Sequence, residues 1–238
     1  MIKEDFSYKF YKHTLVELKK EHNFVFFDKV RNNDVILRHD IDISLEPAVK
    51  MAEIEKKLGI KSTFFILLQS PYYNAFSENS IKYVKKIIGM GHRIGLHYDS
   101  LIIRKFNFVA NEFLKNEIKM MSIHYQTEVN NISSHIPSYN KKLKFKLPKN
   151  ILDADSEIYK KNRKYVSDSV QNWREGTFSK YVNEKNLYIL IHPIWWTEEN
   201  MSRNEILREL SGGKLDLYKK EIIQLKKFQN EYLNRLKQ

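Results

Sequence analysis

The stretch Val35-Ile36-Leu37-Arg38-His39-Asp40-Ile41-Asp42 decides the fold. Its first part, Val35 to His39, opens on an apolar run and reads as a buried strand. The strand runs out into two carboxylates at i and i+2, which on an extended chain point to the same side. The pattern then changes to helical period. Ser44 reads as an N-cap, Pro47 is tolerated in the first turn, and Gly59 ends the helix as a left-handed cap. Ser62 to Leu68 is β-branched, aromatic and apolar, a second strand. Strand, helix and strand in such close succession form a crossover unit, and crossovers build parallel sheets.

The alternation continues outward from this unit. Upstream, Phe10 to Lys20 is amphipathic at helical spacing, and a short apolar stretch follows at Phe24 to Phe27. Downstream, a helix from about Glu78 to Ile88, closed by Gly89 and Gly91, leads to a third strand at Ile94 to His97. Asn107 to Tyr125 reads as one long helix. Val129 to Ser134, Asn150 to Ala154, Lys164 to Val166 and Leu187 to Ile191 are further short strands, and Leu215 to Leu236 is a periodic basic helix. Strand–helix alternation of this length predicts an α/β fold, an incomplete or distorted (β/α) barrel of about seven mainly parallel strands. No repeat, low-complexity tract or Pro/Gly-rich linker interrupts it. Residues 1–238 are therefore expected to form one domain, with the N-terminal helix and the basic C-terminal helix packed on the barrel.

Composition narrows the chemistry. Cysteine is absent, so there is no disulfide framework, and any metal must be held by His, Asp or Glu. The opening MIKEDFSYKF has no apolar core of a secretory signal, and no apolar run reaches the roughly eighteen residues of a membrane span. The expected compartment is the cytoplasm. The formal charge is +12, with 41 Lys and Arg against 29 Asp and Glu. The lysines are scattered as doublets such as Lys19-Lys20 and Lys85-Lys86, a solvated surface and not a nucleic-acid stripe.

The reactive residues gather at the carboxy ends of the strands: Asp40 and Asp42, His97, His135, Asp168 and His192. Parallel α/β sheets and barrels place their sites there, where the loops converge. Two ionised carboxylates as close as Asp40 and Asp42 require a cation or a proton between them. One can then be a metal ligand and the other a general base; alternatively Arg38 pairs with one and the other caps a helix. His92 and His97 are five apart and project to opposite faces of a strand, so they cannot share one ion. His97 is the better ligand.

These segments, with STFFIL at Ser62 to Leu67, SSHIPS at Ser133 to Ser138, SDSVQNWREG at Ser167 to Gly176 and LIHPIWW at Leu190 to Trp196, resemble the motif series of the NodB-type polysaccharide deacetylases. The likeness runs from about Val35 to Trp196 and is nearest to an intracellular branch. It implies Asp40 as catalytic base, His192 as general acid, and Asp42 and His97 as ligands of one divalent metal, zinc. The family's second His, four residues on, is replaced by Leu101, and His135 is its natural substitute. The family's bracing Arg is also absent from its usual place, and Arg38 or Arg174 could stand in. A backbone N–H near Tyr139 would serve as oxyanion donor. Asp168, Trp173, Arg174 and Trp195 would contact the substrate, while Trp196 is expected to pack. The implied reaction is metal-dependent hydrolysis of an N-acyl group from a sugar or nucleotide-linked amino sugar in surface-polysaccharide biosynthesis. The alternative is a catalytically altered relative that binds such a sugar without turning it over.

Overall fold

The computed structural model describes residues 5–135, 143, 145–146 and 148–212. The chain forms two compact units, Met1–Asn200 and Met201–Gln238. In the second, a helix covers 203–212; the expected basic helix Leu215 to Leu236 and the expected contact at Tyr139 lie outside the described residues.

The first unit runs α1 (Tyr8–Glu21), β1 (Asn23–Val25), β2 (Asp34–Ile41), α2 (Glu46–Lys57), β3 (Thr63–Leu67), α3 (Glu78–Gly89), β4 (Arg93–Asp99), α4 (Ser100–Lys105), α5 (Ala110–Tyr125), β5 (Asn131–His135), β6 (Leu152–Asp153), α6 (Glu157–Lys160), β7 (Lys164–Ser167) and β8 (Leu187–Ile191). Every pairing between strands is parallel, in the order β6-β5-β4-β3-β2-β8-β7. The short β1 adds to the first residues of β2, at Asp34 to Ile36, and β3 takes over from Arg38.

The sheet curls into an incomplete barrel, and side chains from β8 and β2 reach across it to the segment at β6. Tyr188 on β8 donates its hydroxyl to the Ala154 carbonyl beside β6 at 2.8 Å. Arg38 on β2 reaches Asp155, just past β6, at 2.9 Å. Side chains alternate between two cores, as the period of two requires. Ile41, Phe64, Ile66, Ile94, Leu96 and Ile132 pack outward against α2, α3 and α5. Ile36, Phe65 and Tyr188 point inward and pack with Phe27 and Tyr159.

Gly95 on β4 has a steric reason. A Cβ there would fall 2.5 Å from the ring of its register partner Phe65 and 2.9 Å from the Asn131 carbonyl oxygen.

The sequence reading needs one correction. Leu45, not Ser44, holds the N-cap position of α2 and makes no side-chain cap, although Pro47 does occupy the first turn and Gly59 adopts φ +68° beyond the end. The expected long helix from Asn107 to Tyr125 is α5, which starts at Ala110, with Asn107 at φ +54° in the turn that separates it from the preceding α4. Asn is among the few non-glycine residues that visit this left-handed region readily. The apolar stretch Phe24 to Phe27 overlaps strand β1 at Phe24 and Val25. No helix among the described residues is long and apolar enough to cross a membrane.

Candidate active site

Asp40 lies in β2 and Asp42 just beyond it, on the inward register shared with Ile36 and Arg38. His97 lies near the end of β4, His135 ends β5, and His192 follows β8. The curl of the sheet turns these ends toward one cleft of about 550 Å³, a size that accommodates a small organic ligand.

At its floor three ligand atoms converge. His97 Nε2 is 3.2 Å from Asp42 Oδ1, His135 Nδ1 is 3.4 Å from the same oxygen, and the two ring nitrogens are 3.4 Å apart. Donor atoms about 2.0–2.1 Å from a tetrahedral ion are about 3.3–3.4 Å from one another. The triangle therefore has the dimensions of three corners of such a shell. Asp42 Oδ1 is buried and makes no well-formed hydrogen bond, as an oxygen aimed at a metal would be left without one. A ligand role for His97 Nε2 requires the proton on Nδ1, and Ser133 Oγ, 2.7 Å away, is placed to accept it. Burial alone would raise the Asp42 carboxyl, but the His135 and His97 imidazoles outweigh it and hold Asp42 well below the usual carboxylate range. Leu101 sits in α4 and does not line the cleft.

A second group surrounds Asp40. Arg38 is fully buried and donates from Nε and Nη2 to the two Asp40 oxygens, each at 2.7 Å, the forked geometry that a guanidinium matches best. Its Nη1 donates to Asp155 at 2.9 Å and to the Tyr188 hydroxyl at 3.1 Å. Asp155 also accepts the Ser134 N–H at 2.7 Å, so one carboxylate ties the β5 end to β2. Asp40 Oδ2 stands 3.6 Å from His97 Nε2, at the edge of the three-ligand cluster. Arg38, and not Arg174, braces this aspartate.

A third group sets His192. Its Nδ1 lies 2.7 Å from Asp168 Oδ1, its backbone N–H donates to the same carboxylate, and Trp196 Nε1 donates to Asp168 Oδ2 at 2.8 Å. Burial alone would lower this imidazole, but the hydrogen bond and charge of Asp168, with Asp42 and Asp40 beyond, push it up to about 9. With Nδ1 committed to Asp168, Nε2 is the nitrogen left for the cleft.

Arg174 and Trp195 line the cleft. Asp168 is fully buried behind His192 and Trp173 lies off the lining, stacked on Phe6 at 5.9 Å and packed against Phe178. Trp196 belongs to the same aromatic cluster, with Phe10 and Tyr11. Sequence reasoning passed over Asp155 and Ser133. Asp155 carried a usable signal, since it directly follows a strand candidate; Ser133 carried none.

No family model matches the sequence, and no curated protein matches it. Among solved structures, the chain is similar to a CE4-family pseudoenzyme from Bacillus anthracis (13% identity, 75% of this chain and 60% of that one, TM-score 0.43). A mutant CE4-family pseudoenzyme with restored activity is matched over 63% of its length, so the chain spans less than two thirds of both. It is also similar to the catalytic domain of a peptidoglycan N-acetylglucosamine deacetylase from Eubacterium rectale (13%, 80% and 88%, TM-score 0.47). An acetyl xylan esterase from Clostridium thermocellum with bound cobalt is a further likeness (13%, 77% and 84%, TM-score 0.39). The solved structures similar to this chain thus include CE4 carbohydrate esterases and deacetylases, the NodB-type family whose motifs its sequence resembles.

Proposed function

We propose that this chain is a metal-dependent hydrolase that removes an N-acyl group from an amino sugar. The observation carrying this is the triangle of Asp42, His97 and His135 with Asp40 at its edge, in a cleft that His192 also lines. Two nitrogens and one carboxylate oxygen suit zinc, which when bound would polarise the acyl carbonyl and bring the pKa of a water down to about 7.

The chain's own residues then divide the proton traffic. Asp40, fixed by Arg38, accepts a proton as water adds to the carbonyl carbon. His192, kept cationic by Asp168, gives its proton to the amine nitrogen as the C–N bond breaks. Amide and water thus become amine and carboxylate. A backbone N–H near Tyr139 is assigned to the oxyanion. Trp195 offers a ring to the sugar face, and Arg174 a cation to an anionic substituent. We assign Asp168 and Trp173 to shaping this wall from behind. A nucleotide-linked amino sugar for surface-polysaccharide assembly fits such a wall and would place the reaction in the cytoplasm.

A second reading, a sugar-binding protein without turnover, is favoured by the Arg38 fork, which engages both oxygens of the proposed base. One experiment separates the two. Zinc-loaded protein is incubated with UDP-N-acetylglucosamine and, separately, with chitin oligomers, and free acetate is measured. Acetate from the nucleotide sugar supports the first reading. Saturable binding without acetate from either substrate supports the second, and acetate from the oligomers alone removes the nucleotide-sugar assignment.

A further inference from the structure

Among the described residues, exposed large apolar side chains crowd the turn joining α4 to α5. Within Leu101 to Val109 four large apolar side chains face solvent: Leu101 at 37%, Phe106 at 59%, Phe108 at 48% and Val109 at 69% exposure. Two of them, Phe106 and Phe108, belong to one ring group with Phe113. The Phe106 and Phe108 rings are 5.9 Å apart, and Phe108 stacks on Phe113 at 5.1 Å. Contiguous apolar surface of this kind marks an interaction site.

Charge selects the partner. Between residues 101 and 120 the exposed charged side chains are Arg104, Lys105, Lys115 and Lys119, against Glu112 alone. Lys105 Nζ lies 5.7 Å from the Phe106 ring centre, so cation and aromatic sit side by side. A second copy of this chain would bring another formal charge of +12, and like charge opposes that contact. Four side chains on one turn also fall short of the roughly 1,000 Å² that a stable protein interface buries. Aromatic rings flanked by cations are what an anionic bilayer surface takes: rings at the boundary of headgroups and acyl chains, amines on the phosphates.

We propose that the α4–α5 turn is a reversible docking surface for an anionic lipid membrane. The turn follows α4, the short helix that leaves the C-terminal end of β4, where Asp42, His97 and His135 gather. Docking does not depend on the hydrolase reading and is tested without it.

The full chain is sedimented with vesicles of phosphatidylcholine, alone and mixed with phosphatidylglycerol. Wild type should bind the mixed vesicles, bind the neutral ones weakly, and be released by salt. Phe106→Ser/Phe108→Ser should weaken partition by at least about tenfold with unchanged circular dichroism, since both rings are exposed. Lys105→Glu/Lys115→Glu should do the same by charge alone, and it keeps the test decisive if the Phe variant folds poorly. The proposal is overturned if wild type ignores both vesicle types, or if both variants bind as wild type does. A concentration-dependent dimer abolished by the Phe substitutions would also overturn it, by giving this face to a second copy.

Discussion

Asp40 is held to two tasks that compete. Both of its oxygens accept from Arg38, and the proposed reaction asks one of them for a lone pair to take a proton. Each carboxylate oxygen has two such pairs, so the fork orients Asp40 without exhausting it. His192 is set by the same logic, with Asp168 on one ring nitrogen and the cleft on the other. Neither residue is a corner of the three-ligand triangle, and that separates their variants from those of the ligands. Asp40→Asn and His192→Ala should each lower turnover by about 10²–10⁴-fold with zinc content unchanged. Asp42→Ala and His97→Ala should lose zinc along with activity. Elemental analysis of the four purified variants checks this, and zinc missing from His192→Ala would make that residue a ligand instead of the acid.

At the scale of elements, strand spacing is what makes the cleft. Gly95 lets the Phe65 ring lie flat against β4, and that ring in turn carries the Arg38 guanidinium at 5.1 Å. A methyl group at residue 95 must displace Phe65 or strain the β4–β5 pairing, because Asn131 O stands in its other direction. Gly95→Ala should therefore destabilise the protein by about 1–3 kcal/mol by denaturant titration, and reduce activity further through the shifted Arg38. The strands were legible in the sequence wherever an apolar run survives burial on both faces, as in β2, β3 and β8. Three-residue β1 was legible only as an apolar stretch, and two-residue β6 only as part of the longer candidate Asn150 to Ala154, since neither is long enough for a period to fix its ends. The strand-end carboxylates and imidazoles could be read for the same reason the fold could, since topology alone places them together. The partners of Asp155 and Ser133 could not, although Asp155 follows a strand candidate, because they depend on which side chains meet once the sheet curls: Asp155 with Arg38 from across the barrel, Ser133 with His97 from the next strand. The start of α5 at Ala110 and not Asn107 lies beside a left-handed backbone angle that apolar spacing does not record.

For the molecule as a whole, the buried ionisable groups fix how stability responds to pH before any metal binds. Burial pushes Glu117 up from its ordinary 4.5 to about 7, and Asp168 pushes His192 from 6.5 to about 9 against the opposing effect of burial. Burial would lower His135, yet Asp42 raises it; His92, lowered chiefly by burial, opposes the set. Raised groups make the folded chain hold more protons than the unfolded one, so stability falls as pH rises. The His192 contribution is whole below about 6.5 and gone above about 9, and the Glu117 penalty is absent below 4.5 and complete above about 7. Carboxylates shifted the other way govern the acid side. Burial would raise Asp42, Asp155 and Glu55, but His135 and His97, Arg38, and His39 respectively outweigh it and hold them low, so their stabilisation is lost as pH drops below their ordinary range. Metal-free protein should accordingly be most stable at mildly acid pH, between about 4.5 and 6.5. Zinc reverses the slope above that, because His135, raised by Asp42, must shed its proton to bind it and does so more completely as pH rises. Urea midpoints from pH 4 to 9, with chelator and with excess zinc, should show the maximum moving upward on loading. In chelator, His192→Gln should flatten the alkaline limb. A metal-free maximum above pH 7, or no flattening in that variant, would mean that Asp168 does not keep His192 protonated, and the general acid would have to be reassigned.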